Sequence, residues 1–343
     1  MKEIENLVRK NILSVNAYSS ARDEYKGKDG VFLDANENPF GFLNRYPDAY
    51  QTSIKTNLSM MKKINSDHIF LGNGSDEVID LAIRIFCQPC RDKIATFTPS
   101  YGMYKVSAEI NDIENIEIPL NDQFQIDFNI FDKIIEDTSI KIIFVCSPNN
   151  PTGNSIEGID YILNRFKGIV FVDEAYIDFS PHESYVAKIS QYSNIIVSQT
   201  FSKSWGLAGA RVGIAYSNPY IISLFNKVKP PYNVSIPNQN AVLEAISNIE
   251  EFHQNKNKIL TAKKQLIAEL IKCKWISKIF PSDANFILVE TNNANKIYQA
   301  LVLEKIIVRN RNSIVNNCLR ITIGSHEENN KLISVLNNLE ISV

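Results

Sequence analysis

The stretch TFSKSWGLAGAR (200–211) sets one lysine, Lys203, among small hydroxyl and glycine residues, directly after a β-rich run and eight positions before Arg211. A lysine in that setting can form a Schiff base with an aldehyde. It must be deprotonated to attack, and a doubly charged phosphate must be held nearby, for which Ser202, Ser204 and Arg211 are the available groups. Read singly, a lysine is more often a solvated surface residue; the segments upstream change that balance. FVDEAY (171–176) puts Asp173 at the end of an apolar run, where an unpaired charge is costly unless a cation answers it. A protonated pyridine nitrogen is such a cation, and an aspartate beside it keeps a ring able to absorb the electrons left when a Cα–H bond breaks. Taken alone, Asp173 is equally a strand-end cap or a metal ligand.

Two further loops carry polar groups. SPNNPTG (147–153) follows a run ending at Cys146, so it falls at the carboxyl edge of a sheet, where α/β folds bind ligands. Asn150 there can donate to a phenolic ring oxygen, although two prolines and a glycine also make an ordinary tight turn. LGNGSDE (71–77) is a glycine-rich turn opening a helix, which presents backbone N–H groups and a positive dipole end to an anion. Many helices begin with Gly-Ser-Asp simply for capping. The loop lacks the spacing of a dinucleotide fingerprint or a P-loop, so nicotinamide and ATP chemistry are not indicated.

These loops need a scaffold. Ile94–Thr98, Ile140–Cys146, Gly168–Asp173, Asn194–Thr200 and Val212–Tyr216 read as strands, several almost wholly apolar and separated by helical patterns. Strands apolar on both faces imply a largely parallel sheet covered by helices, an α/β architecture. Ser75 reads as the cap of a helix with an acidic first turn and an apolar stripe. Residues 240–275 read as one long connecting helix, after which Ala284–Glu290, Ile306–Arg309 and Cys318–Ile323 read as strands of an α+β part. The expected division is a large domain over 30–245 and a small domain over 246–343 with 1–29. The first thirty residues are expected to pack on that second domain or on a partner subunit.

The bulk numbers fit a soluble enzyme. The chain has 343 residues, about right for two domains, with 44% apolar and 22% charged residues. Its net charge of −2 and the lack of a basic run argue against nucleic acid as a partner. No secretory signal or apolar membrane span stands out, so a cytoplasmic location is expected. Five cysteines, at 87, 90, 146, 273 and 318, are expected to be reduced, and the lone CxxC at Cys87 and Cys90 is too little for zinc; no metal is expected.

SPNNPTG, VDEAY and SKSWGLAGAR, in that order, resemble the fold-type I pyridoxal-phosphate enzymes. LDANENPFG (33–41), NRYPD (44–48), GNGSDE (72–77), TPSYGMYKVSAE (98–109) and CLRITIG (318–324) resemble the histidinol-phosphate aminotransferase family in particular, and the likeness spans almost the whole chain. The resemblance implies a large, mainly parallel mixed sheet sandwiched by helices, plus a smaller α+β domain. It implies that pyridoxal 5'-phosphate is carried on Lys203, which also shuttles the proton between the substrate Cα and the cofactor. Asp173 would pair with the pyridine nitrogen, Tyr176 and Asn150 would hydrogen-bond the phenolic oxygen, and Tyr101 would stack on the ring. Gly74, Ser75, Asp76, Ser202 and Arg211 would hold the phosphate, with Tyr46 reaching it from the other subunit of a homodimer.

For the substrate, the resemblance points to Arg309 and Arg320, with Tyr18 and the segment around Asn36 closing over the far end; Arg311 is the alternative to Arg309. The implied reaction converts histidinol phosphate and 2-oxoglutarate to imidazole-acetol phosphate and glutamate in histidine biosynthesis. Ala17 stands where family members often carry a proline before the tyrosine, and the segment between Arg309 and Arg320 is short. Alternatives are decarboxylation of threonine phosphate and transamination of an aromatic amino acid on the same fold. A non-catalytic regulatory module is a further class, though the chain shows no spare length for a fused DNA-binding region.

Overall fold

Runs of valine, isoleucine and phenylalanine without polar alternation must be buried on both faces, and such strands stack side by side under two layers of helix. The structure, a computed structural model, describes residues 2–19, 25 and 29–339. Among them, seven strands form one sheet: β1 (Ile69–Gly72), β2 (Lys93–Thr98), β3 (Glu114–Pro119), β4 (Ile140–Cys146), β5 (Ile169–Asp173), β6 (Ile195–Thr200) and β7 (Gly213–Tyr216). Their order is β1-β7-β6-β5-β4-β2-β3. β7 runs antiparallel to both its neighbours; the pairs from β6 to β3 are parallel.

The two-residue period of a strand divides the apolar residues between two cores. Ile143, Val145, Val170, Val172 and Val197 enter one cluster, while Ile142, Phe144, Ile169, Phe171 and Ile196 enter another on the opposite face. A second, antiparallel sheet has the order β10-β11-β9-β8, from β8 (Ile276–Ile279), β9 (Phe286–Thr291), β10 (Arg309–Asn310) and β11 (Cys318–Thr322). It has its own cluster, in which Ile287, Val289, Leu319 and Ile321 meet Leu266, Leu270, Leu332 and Leu336 of its covering helices.

The expected strands of the large sheet form, each starting within one residue of its expected position. β1, β3 and β8 were not expected: β1 and β8 are four residues long, and β3 is an edge strand with polar residues between its isoleucines. The long helix expected over 240–275 is two helices, Ile236–Ser247 and Ile249–Leu270, interrupted at Asn248 (φ −102°, ψ 42°). The strand expected at Ile306–Arg309 is reduced to Arg309–Asn310. Residues before it are taken up in ending the helix Ala294–Leu303, where Lys305 turns left-handed (φ 58°) and the Ile306 N–H returns to the Leu301 carbonyl.

The N-terminal segment also departs from expectation. Ile4, Val8 and Ile12 are buried in the large-sheet cluster, and the Arg9 N–H donates to the Ile85 carbonyl at 3.0 Å. An apolar i, i+4, i+8 stripe accounts for this attachment. Of the expected segment, residues 1, 20–24 and 26–28 lie outside the described residues.

Gly213 at the start of β7 lets the loop after β1 approach closely. A Cβ there would lie 2.3 Å from the Ser75 nitrogen and 2.4 Å from the Gly74 carbonyl carbon, both backbone atoms. Gly213→Ala is therefore expected to lower stability by about 1–3 kcal/mol, as overpacking does. The denaturant midpoint checks this; an unchanged midpoint would contradict the close approach.

Candidate active site

Register aligns the carboxyl ends of the central strands: Cys146 of β4 pairs with Asp173 of β5, which pairs with Ser198 of β6. The loops leaving these ends therefore emerge side by side, and with them Asn150, Asp173 and Lys203. They border a cavity of about 350 Å³ together with Ser75, Asp76, Tyr101, Tyr176, Ser202 and Arg211. Arg309, Arg311 and Arg320 of the small sheet complete the wall, so the cavity lies between the two sheets.

Asp173 is 3% exposed. Its carboxylate accepts from the Tyr104 hydroxyl at 2.7 Å and from the Ala175 N–H at 3.1 Å, both neutral donors. Burial pushes its pKa up; these bonds and the Lys203 charge oppose the shift without cancelling it. Glu174, next in sequence, belongs to a different network: it accepts from Ser184, the Tyr185 N–H and Gln199, away from the cavity wall.

Lys203 opens into the cavity with its Nζ 5.6 Å from the centre of the Tyr176 ring. The surrounding protein and the Arg320 charge lower its pKa, which enlarges the neutral, nucleophilic fraction of the amine. The Tyr176 ring is braced edge-on by Phe286 of β9, at 5.1 Å and 84°. Tyr101 donates to Asp76 at 3.1 Å, and Arg211 meets the other oxygen of the same carboxylate at 3.2 Å. Arg211 is held in the left-handed region (φ 52°), a conformation that a non-glycine residue adopts at a cost and that recurs at functional sites.

The helix Ser75–Phe86 begins at this wall with Asp76 and Glu77 in its first turn. Ser75, expected to cap it, is instead its first residue. Gly74 (φ 83°) takes the cap position and no side chain caps the end, which leaves Ser75 on the cavity. A Cβ at Gly74 would fall 2.6 Å from the Arg211 guanidinium, so the glycine is needed for that arginine to reach the loop.

Arg309 and Arg320 are Cα partners across β10 and β11. Arg320 donates to the Asn150 side-chain oxygen and lies 5.1 Å from the centre of the Phe286 ring. With that oxygen engaged, the amide nitrogen of Asn150 is the group left to donate. Burial and the neighbouring arginines lower the pKa of Arg311 to about 10, and burial also lowers that of Arg320.

Four expected positions lie elsewhere. Ser204 is buried, donates to Asp178 and does not border the cavity. Tyr46 stacks on Tyr232 at 4.3 Å, outside the cavity. Tyr18 borders a separate small cavity with Tyr50 and Tyr232, and Asn36 is exposed with φ 53°. Conversely, Cys146 and Thr200 line the cavity and Tyr104 bonds Asp173, roles that the sequence does not announce. The signal available for Tyr104 was its place as an aromatic residue in the first turn of the helix Met103–Ile110, three positions after Tyr101.

A family profile described as aminotransferase class I and II matches residues 10–336. Histidinol-phosphate aminotransferase of Cytophaga hutchinsonii is 48% identical over 342 residues, 97% of this chain and 98% of the relative. The chain belongs to the histidinol-phosphate aminotransferase family of class I and II aminotransferases. Within that family, the solved histidinol-phosphate aminotransferase of Clostridium acetobutylicum superposes with a TM-score of 0.79 at 25% identity, over 88% of this chain and 97% of that one. The Sinorhizobium meliloti structure, solved in complex with pyridoxal-5'-phosphate, shares the fold at a TM-score of 0.79, 20% identity and coverage of 88% and 89%.

Among the described residues, Tyr104 supplies one of the two hydrogen bonds to the buried Asp173 carboxylate. Tyr104→Phe is expected to cost about 1–3 kcal/mol of stability, because a charged acceptor loses its partner. Urea unfolding of the variant checks this, and a loss below measurement error would contradict the role given to the hydroxyl.

Proposed function

We propose that the protein is a pyridoxal-phosphate-dependent transaminase that converts L-histidinol phosphate and 2-oxoglutarate to imidazole-acetol phosphate and L-glutamate in histidine biosynthesis. The observation that carries this reading is one cavity joining Lys203 and Asp173 to three arginines from the other sheet. The donor set fits the cofactor: a buried carboxylate with only neutral donors calls for a cation such as a protonated ring nitrogen. Arg211, Ser75, Ser202 and the amides beside Gly74 at a helix N-terminus suit its phosphate, with Asp76 orienting Arg211.

Held on Lys203, pyridoxal phosphate would supply the carbon that accepts the amino group and a ring that spreads the electron pair left at Cα. Lys203, with its lowered proton affinity, would take the proton from the substrate Cα and deliver it to the cofactor carbon that bears the nitrogen. Asp173 would hold the ring nitrogen protonated. Asn150 and Tyr176 would donate to the phenolic oxygen, Tyr101 would lie beside the ring, and Arg309 and Arg320 would receive the substrate phosphate.

The active form in this reading is a homodimer. Within the segment 29–50, Phe40 is 81% exposed and Phe42 94%, with Val31 and Leu33 also bare, an apolar patch that calls for cover. Tyr46 and Tyr18 both border Tyr232, outside their own chain's cavity, which suits residues that serve the partner's site together with the segment around Asn36. We take 30–245 as the large domain and 246–343 as the small one, with 1–29 as an N-terminal segment; the break at Asn248 and the separate core of the small sheet support this. A cytoplasmic location agrees with the five free cysteines, and no described helix is long and apolar enough to cross a membrane.

The cofactor-loaded protein should be yellow, lose that colour on addition of histidinol phosphate without acceptor, and regain it with 2-oxoglutarate. Lys203→Ala should fold with an unchanged melting temperature and show no turnover. A yellow protein indifferent to histidinol phosphate would shift the substrate to threonine phosphate or an aromatic amino acid. Normal turnover by Lys203→Ala would overturn the mechanism.

A further inference from the structure

Arg311 has no assigned task in a site where one or two arginines suffice to hold an anion. We propose that Arg311 is a specificity-determining residue, one that makes the anion end of the cavity select a phosphate ester dianion over a carboxylate. The proposal rests on the reading above that the preferred amino donor is a phosphate ester.

Backbone pairing brings the three arginines together. Arg309 and Arg320 face each other across β10 and β11, and the ladder continues past β10 through the Arg311 N–H to the Cys318 carbonyl at 2.9 Å. With a two-residue period, Arg311 falls on the same face as Arg309. Two more hydrogen bonds, from the Ile314 and Val315 N–H groups to the Arg311 carbonyl, fix the backbone from which this side chain springs.

The cluster lacks counter-charge. Among the described residues no carboxylate forms an ion pair with Arg309, Arg311 or Arg320, and Asp76, on the same cavity, is engaged by Arg211. The Nε atoms of Arg311 and Arg320 are buried without a hydrogen-bond partner. Burial and mutual repulsion depress the Arg311 pKa to about 10, as expected where three like charges wait for an anion.

Charge matching then separates the two amino donors. A carboxylate carries one charge on two oxygens, which a single guanidinium fork satisfies. Seating it here leaves at least one half-buried guanidinium, of Arg311 or Arg320, unneutralised, a penalty that binding must overcome. A phosphate ester carries roughly −1.5 to −2 charges near pH 7 and three terminal oxygens, enough to engage all three forks. Selectivity thus comes as much from the penalty on the carboxylate as from attraction to the phosphate.

Arg311→Gln tests this in the cofactor-loaded enzyme, where the cofactor's own phosphate cradle is filled. Binding of inorganic phosphate, measured by calorimetry, should weaken roughly 10- to 100-fold, the usual loss of charge-assisted hydrogen bonds. The KM for histidinol phosphate should rise in step, while the KM for glutamate stays the same or falls. Arg311→Lys, which keeps the charge and loses the fork, should recover part of the phosphate affinity. A parallel rise in both KM values, or unchanged phosphate binding in Arg311→Gln, would overturn the proposal. Should the unmodified enzyme ignore histidinol phosphate while phosphate affinity still falls in Arg311→Gln, the substrate reading fails and the anion selectivity of Arg311 stands.

Discussion

A carboxylate buried at the end of a central strand has to be matched by positive charge, and Asp173 is such a carboxylate. It sits where β4, β5 and β6 end in register, so its surroundings are set by the parallel sheet and not by a mobile loop. Burial raises its pKa, and its two hydrogen bonds come from neutral donors. A group held in this way is poorly satisfied until a cation arrives, which is what a protonated pyridine ring supplies. The Tyr104 hydroxyl and the stack of Tyr104 on Phe144 keep the carboxylate aimed, and these in turn depend on the apolar core of that sheet face.

The second sheet presents the opposite charge. Its arginines face a cavity whose other wall belongs to the first sheet, and Arg320 crosses between them to bond Asn150. The cavity is therefore polarised, with a buried acid toward the strand ends and an unneutralised cationic cluster on the small sheet. A substrate that carries a phosphate at one end and an amine at the other matches this polarity. Lys203 lies under the influence of both, lowered by Arg320 and raised by Asp173, with burial deciding the net direction.

Legibility in the sequence followed physical causes. Strands with uninterrupted apolar runs, such as IVFVD in β5, declared themselves; β3, whose isoleucines alternate with polar residues at a sheet edge, did not. Lys203, Asp173 and Asn150 were recoverable because loops after parallel strands share one edge. Nothing local indicates that the Ser204 hydroxyl is engaged by Asp178, a pairing between separate segments. The break at Asn248 was invisible because helical periodicity runs on across it. Tyr18, Asn36 and Tyr46 came from family likeness alone, and within one chain they lie away from the cavity. Arg311 appeared only as a substitute for Arg309, since a one-dimensional reading does not show that strand pairing brings all three arginines to one wall.

In the proposed reaction Asp173 holds a positive charge on the cofactor ring. Loading the protein with pyridoxal phosphate carrying 15N in the ring, and recording the nitrogen resonance near neutral pH, tests it directly. The ring nitrogen should appear protonated in the unmodified protein and unprotonated in Asp173→Asn. A neutral ring nitrogen in the unmodified protein, or the same protonated signal in both, would contradict the account.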